Sequence, residues 1–106
     1  AAIAYRHCKE IPMYAVIRRY QFDPSASEEL DRKIRENLMP LLKDVPGFVT
    51  YYWLNSGEGS GASLSVFDSQ EGAEASVRVA ATFAQRHLAD ITSKPEILKG
   101  EVQAHA

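Results

Sequence analysis

Bulky side chains occupy both alternating sets of positions in the run Pro46-Gly47-Phe48-Val49-Thr50-Tyr51-Tyr52-Trp53-Leu54. A strand with one wet face alternates apolar and polar residues, so this run predicts a strand covered on both faces. Helices of the same chain can cover one face. A chain this short has few elements left for the other, which points to a second copy of itself and hence a homodimer.

The rest of the pattern supplies the partners of that strand. Met13 to Phe22 is rich in β-branched and aromatic residues and predicts a first strand, broken by Asp23-Pro24-Ser25. Ser25 to Glu28 has capping-box spacing. Leu30, Ile34, Leu38 and Leu41 then recur at helical intervals, with Pro40 predicting a kink or an end near Met39. Phe48 to Asn55 is the second strand; the glycine-rich Ser56 to Gly61 connects it to a third over Ala62 to Phe67. Asp68 to Glu71 is a second candidate capping box, and Ala73, Val77, Ala80, Ala84, Leu88 and Ile91 line one face of a second helix. Ile97 to Ala104 closes the chain as a short strand. The order β-α-β-β-α-β is the ferredoxin-like α+β plan, a four-stranded antiparallel sheet with both helices on one face.

Composition narrows the function classes. The 106 residues carry a formal charge of −2 with basic and acidic residues interleaved, which gives no footprint for nucleic acid. No apolar run approaches the roughly 20 residues of a membrane span, so a membrane partner is not expected. The single cysteine, Cys8, has no second thiol to pair with and fits a cytoplasmic setting. Residues 1–12 show no period and are expected to be an N-terminal extension, with the domain proper over 13–106.

Four segments carry a more specific likeness: Tyr14 to Tyr20, Pro46-Gly47-Phe48 after the first helix, Ser65-Val66-Phe67-Asp68 entering the second, and Gly100-Glu101-Val102 in the last strand. In these the chain resembles the dimeric α/β-barrel proteins of the antibiotic biosynthesis monooxygenase type. The resemblance implies two sheets facing each other across a two-fold axis, with a cavity in each protomer between sheet and helices. It also implies chemistry: some such enzymes use Asn, Trp, Tyr and Arg to oxidise an aromatic substrate with no metal or flavin, so no cofactor is expected. The haem-degrading branch, which relies on Asn, Trp and His from different elements, is disfavoured, because the first strand has no Asn and the only Trp lies in the second.

Strand parity then sorts the candidates. Tyr51, Trp53 and Asn55 share one face of the second strand, and Phe48, Thr50, Tyr52 and Leu54 the other. The first set could orient a flat aromatic ligand, or simply pack with its polar tips at the dimer seam. Arg18, on the face of Tyr14, Val16 and Tyr20, could stabilise a phenolate or enolate, or form a salt bridge at that seam. His87, near the end of the second helix, could act as a base or be a helix-end residue with no further role. The leading reading is a monooxygenase acting on a small aromatic or phenolic molecule; the other is a noncatalytic dimeric small-molecule-binding or stress-related protein. Parity alone does not say which face meets the helices.

Overall fold

A computed structural model describes residues 12–106. Its sheet contains β1 (Tyr14–Gln21), β2 (Phe48–Asn55), β3 (Ser60–Phe67) and β4 (Glu96–Glu101), all antiparallel, in the spatial order β2-β3-β1-β4. Helical segments α1 (Ser27–Lys33), α2 (Met39–Lys43) and α3 (Gln70–His87) supply the cover. This is the ferredoxin-like α+β fold. The expected N-terminal extension, apart from Pro12, lies outside the described residues. The sheet itself is tied off at Met13, whose carbonyl accepts from Val102 N at 2.7 Å.

The first helix departs from the expected pattern in an instructive way. Between α1 and α2 the chain makes a wide π-helical turn, Ile34–Leu38, in which Met39 N–H donates to Ile34 O, five residues back. The wide turn ends two residues before Pro40, which has no N–H to give a regular ladder, and the helix passes through the proline instead of ending. The extra residue also rotates the turn downstream of it. The buried stripe therefore runs Leu30, Ile34, Leu38 and Leu42, at even intervals of four, while Leu41, the position expected from ordinary helical spacing, is 48% exposed.

A second extra residue acts on β2. Phe48 pairs with Phe67 but Thr50 pairs with Val66, so a bulge at Val49 shifts the alternation. Phe48 thereby turns to the helix side and meets Phe67 edge-on, with ring centroids 6.0 Å apart, rather than sharing a face with Tyr52 and Leu54. The caps are also displaced. Asp23, not Ser25, accepts from Ser25 N at 2.9 Å and opens a 3₁₀ turn ahead of α1. Ser69, not Asp68, caps α3 by accepting from Gly72 N at 3.0 Å. α3 stops at His87, with Leu88 fully buried just beyond it, and Phe83 joins its buried face.

Two faces of very different character result. On the helix side, Val16, Tyr20, Phe67, Leu30, Ile34, Leu38, Leu42, Ala80, Phe83 and Leu88 form the core. On the other side, Tyr52, Leu64, Ile17 and Leu98 stand in register across all four strands, and Tyr52, Leu54 and Leu98 are each more than 60% exposed. Among the described residues nothing covers this apolar sheet face.

Candidate active site

The helix-facing residues of β3 are Gly61, Ser63, Ser65 and Phe67, so three of the four are small. The flanking strands are the reverse: β2 contributes Tyr51, Trp53 and Asn55, and β1 contributes Arg18 and Tyr20. Large polar and aromatic side chains therefore lean from both sides over a low central floor. Register places Trp53, Ser63 and Arg18 in one cross-strand row and Tyr51, Ser65 and Val16 in the next. All five candidates except His87 consequently fall on the face that meets the helices.

Gly61 has a specific reason to lack a side chain. A Cβ there would lie 2.6 Å from Trp53 Cη2 and 2.9 Å from Leu54 O, so the indole occupies the space that any other residue would need. The ring is held further by Tyr20, edge-on at a centroid separation of 6.1 Å, and by a hydrogen bond from Nε1 to Asp31 Oδ1 of 2.7 Å. Asn55 Nδ2 donates to the same Asp31 oxygen at 2.9 Å and to Ser27 Oγ at 2.7 Å. Its Oδ1 accepts from Gly57 N at 2.8 Å. Asn55 is thus engaged at both ends, binding β2 to α1 and to the hairpin.

Sequence reasoning misses Asp31. The available signal is its spacing of four from Ser27, which puts both on one helix face beside the Leu30–Ile34 stripe. A surface pocket of about 330 Å³ opens against this network, lined by Asp31, Ile34, Arg35, Met39, Trp53 and Asn55.

Deeper in the same layer the polar groups are less well served. Arg18 is 4% exposed; its Nε donates to Tyr20 Oη at 3.1 Å, and its Nη1 has no partner among the described residues. Tyr51 Oη is likewise buried without a hydrogen bond of normal geometry to any of the described residues. Burial is the main cause that pushes the Tyr51 phenol well above its ordinary pKa, with Tyr20 adding to it; Ser63 and Arg18 pull the other way without offsetting it. Ser63 is near enough to act on the phenol although no regular hydrogen bond joins them. The Tyr51 hydroxyl therefore stays a proton donor throughout the physiological range.

His87 is not part of this set. Its exposed ring stacks obliquely on Phe83, with centroids 5.0 Å apart, and lines a different surface pocket with Leu41, Arg78 and Arg86. Its backbone carbonyl accepts from Lys33 Nζ at 2.9 Å. Among the described residues no group of three or more His, Cys, Asp or Glu side chains is arranged to hold a metal ion.

The sequence profile of the antibiotic biosynthesis monooxygenase family matches residues 13–83 of the chain that forms this four-stranded sheet with its helical cover. The chain belongs to that family. Solved structures agree with the assignment at the level of fold. A Nitrosomonas europaea protein of unknown function is 22% identical, with 91% of this chain and 94% of that one covered and a TM-score of 0.76. A monooxygenase from Streptomyces coelicolor, solved with nanaomycin D, is 12% identical, with 92% and 93% covered and a TM-score of 0.69. A heme-degrader from Mycobacterium tuberculosis, with two hemes in its active site, is 20% identical, with 88% and 98% covered and a TM-score of 0.67. No curated protein sequence matches the chain. The antibiotic biosynthesis monooxygenase fold therefore accommodates more than one chemistry, and the side chains of this member must carry the argument for its own.

Proposed function

We propose that this protein is a cofactor-independent monooxygenase acting on a small aromatic or phenolic molecule, and that it works as a cytoplasmic homodimer built from residues 13–106. The observation that carries the reading is the set of buried Arg18 and Tyr20 with partly buried Tyr51 and Trp53 over the small-residue floor of β3, in a chain of this family. An ionised phenol or enol is electron-rich enough to react with dioxygen directly. For an anthrone-like substrate the balance closes without a reductant: a ring methylene and O₂ give a carbonyl and water, with the electrons coming from the substrate.

The roles divide according to what each side chain has free. Arg18 and Tyr51 retain donors for the substrate oxygen, and Trp53 supplies an aromatic wall. Asn55, fully engaged with Ser27, Asp31 and Gly57, is a positioning residue that holds the edge of β2 against α1.

The uncovered sheet face supports the homodimer, since it would bury Tyr52, Leu54 and Leu98 against a partner. No described helix is long and apolar enough to cross a membrane. One observation favours a noncatalytic small-molecule-binding role instead: the indole N–H of Trp53 and the amide of Asn55 both spend their donors on Asp31. An oxygen electrode separates the two readings. Protein freed of metal and flavin should consume oxygen with an electron-rich phenol or anthrone-like compound. Arg18→Ala should lower turnover by about a hundredfold, the usual effect of removing one stabilising donor. Trp53→Phe should lower it less. Absence of uptake across a broad phenol panel would leave the binding role standing.

A further inference from the structure

We propose that the cleft between α2 and α3 is a second ligand site, one that takes a small amphipathic carboxylate: an apolar tail of several carbons ending in a single acid group. Its walls come from the two helices alone, apart from the polar set over β3 and from the open sheet face. The inference therefore rests on neither the monooxygenase reading nor the homodimer.

The first support is an apolar wall with room beside it. Leu41, Val79 and Phe83 line a cleft of about 340 Å³, a size that suits a small molecule. Leu41 is there because of the π-helical turn, whose extra residue gives Leu42 to the core and leaves Leu41 48% exposed. A single exposed leucine is ordinary on a protein surface. This one shares its cleft with Val79, which is half-buried, and with Phe83, which belongs to the core.

The second support is the charge of the rim, which is entirely basic. Arg78, Thr82 and Arg86 recur at intervals of four along α3, so they form one stripe with about 6 Å of rise between successive members. All three are exposed, and neither arginine forms an ion pair with any described residue. Glu74, one turn before Arg78, neither pairs with it nor lines the cleft. The helix dipole accounts for basic residues in the last turn of α3, Arg86 and His87. Arg78, more than two turns earlier, has no such reason. A carboxylate beside the Thr82 hydroxyl would lie one turn from each guanidinium, and the planar donors on either side match its two oxygens. The tail would then rest on Leu41, Val79 and Phe83. The mainly apolar lining selects such a singly charged, tailed anion over a small, strongly hydrated one, and the rim repels a cation.

The test titrates octanoate into full-length protein by calorimetry, with Trp53 emission followed in parallel. Octanoate should bind saturably, one per chain, and leave the emission unchanged, because the only tryptophan lines a different pocket. Octylammonium, with the same tail and the opposite charge, should bind at least about tenfold more weakly. Octanoate should itself bind at least about tenfold more weakly to the Arg78→Gln/Arg86→Gln double variant, which lacks both charges. Leu41→Asn makes the wall polar and should weaken it several-fold. All three positions are exposed, so both variants should melt close to the wild type.

Absence of octanoate binding at millimolar concentration, equal affinity for octylammonium, quenching of Trp53 along the binding curve, or undiminished affinity in either variant would each overturn the inference. None of these readouts involves oxygen, so this site and the monooxygenase reading stand or fall separately.

Discussion

At the scale of single residues, the site is governed by which polar atoms have partners. Trp53 and Asn55 are committed to Asp31, whereas Arg18 and Tyr51 find no partner among the described residues for one buried donor each. Tyr51 offers a test that needs no ligand. Burial raises its folded-state pKa above the ordinary phenol value of 10.0, so the folded chain holds that proton more tightly than the unfolded chain does. The associated stability is complete below about pH 10 and is lost as the pH climbs beyond it. Urea unfolding followed from pH 8 upward should show stability falling on the alkaline side, and Tyr51→Phe should flatten that fall. A variant curve with the same alkaline slope would mean that Tyr51 ionises freely in the folded protein.

At the scale of elements, two inserted residues do most of the positioning. The π-helical turn ahead of Pro40 keeps Leu30, Ile34, Leu38 and Leu42 on one line against the sheet. The bulge at Val49 lets Phe48 and Tyr51 point the same way although their separation is odd. Both are local changes of phase that leave a packed face continuous, and both bear on β2, the strand that carries the aromatic side of the site. The long helix α3 is held differently, by a cap. Ser69→Ala removes the acceptor for Gly72 N and should cost about 1 kcal/mol, seen as a fall in melting temperature of roughly 4–8 °C for a domain of this size. Asp68→Ala, one residue earlier and exposed, should cost less if Ser69 is the true cap.

At the scale of the whole molecule, the sheet separates two tasks. Its helix face holds the polar set, and its open face presents Tyr52, Leu54, Leu64, Ile17 and Leu98 to whatever covers them. Sedimentation at micromolar concentration should give twice the chain mass. Leu54→Asp and Leu98→Asp should each shift the protein toward monomer, because a carboxylate would be desolvated without a partner at the seam. Both leucines are more than two-thirds exposed in the single chain, so the monomer itself should remain folded. A wild-type monomer at that concentration would refute the homodimer, and a dimer indifferent to both changes would place the interface elsewhere.

The order of elements is legible from hydrophobic period and turn residues, because both are properties of the local chain: the strand at Phe48–Asn55 can be read to its last residue, and Arg18 falls with Val16 and Tyr20. Parity also groups Tyr51, Trp53 and Asn55. It misplaces Phe48, and helical spacing misplaces Leu41, since one extra residue in a strand or helix changes phase without leaving a clear mark in composition. What only the tertiary structure decided is which face meets the helices and which donors find partners among the described residues. Asp31 captures Trp53 and Asn55 across 22 and 24 positions of chain, and His87, plausible by residue type, ends up at a separate surface pocket. Periodicity reports how a segment meets an apolar surface; hydrogen-bond satisfaction depends on atoms that are brought together only when distant segments pack.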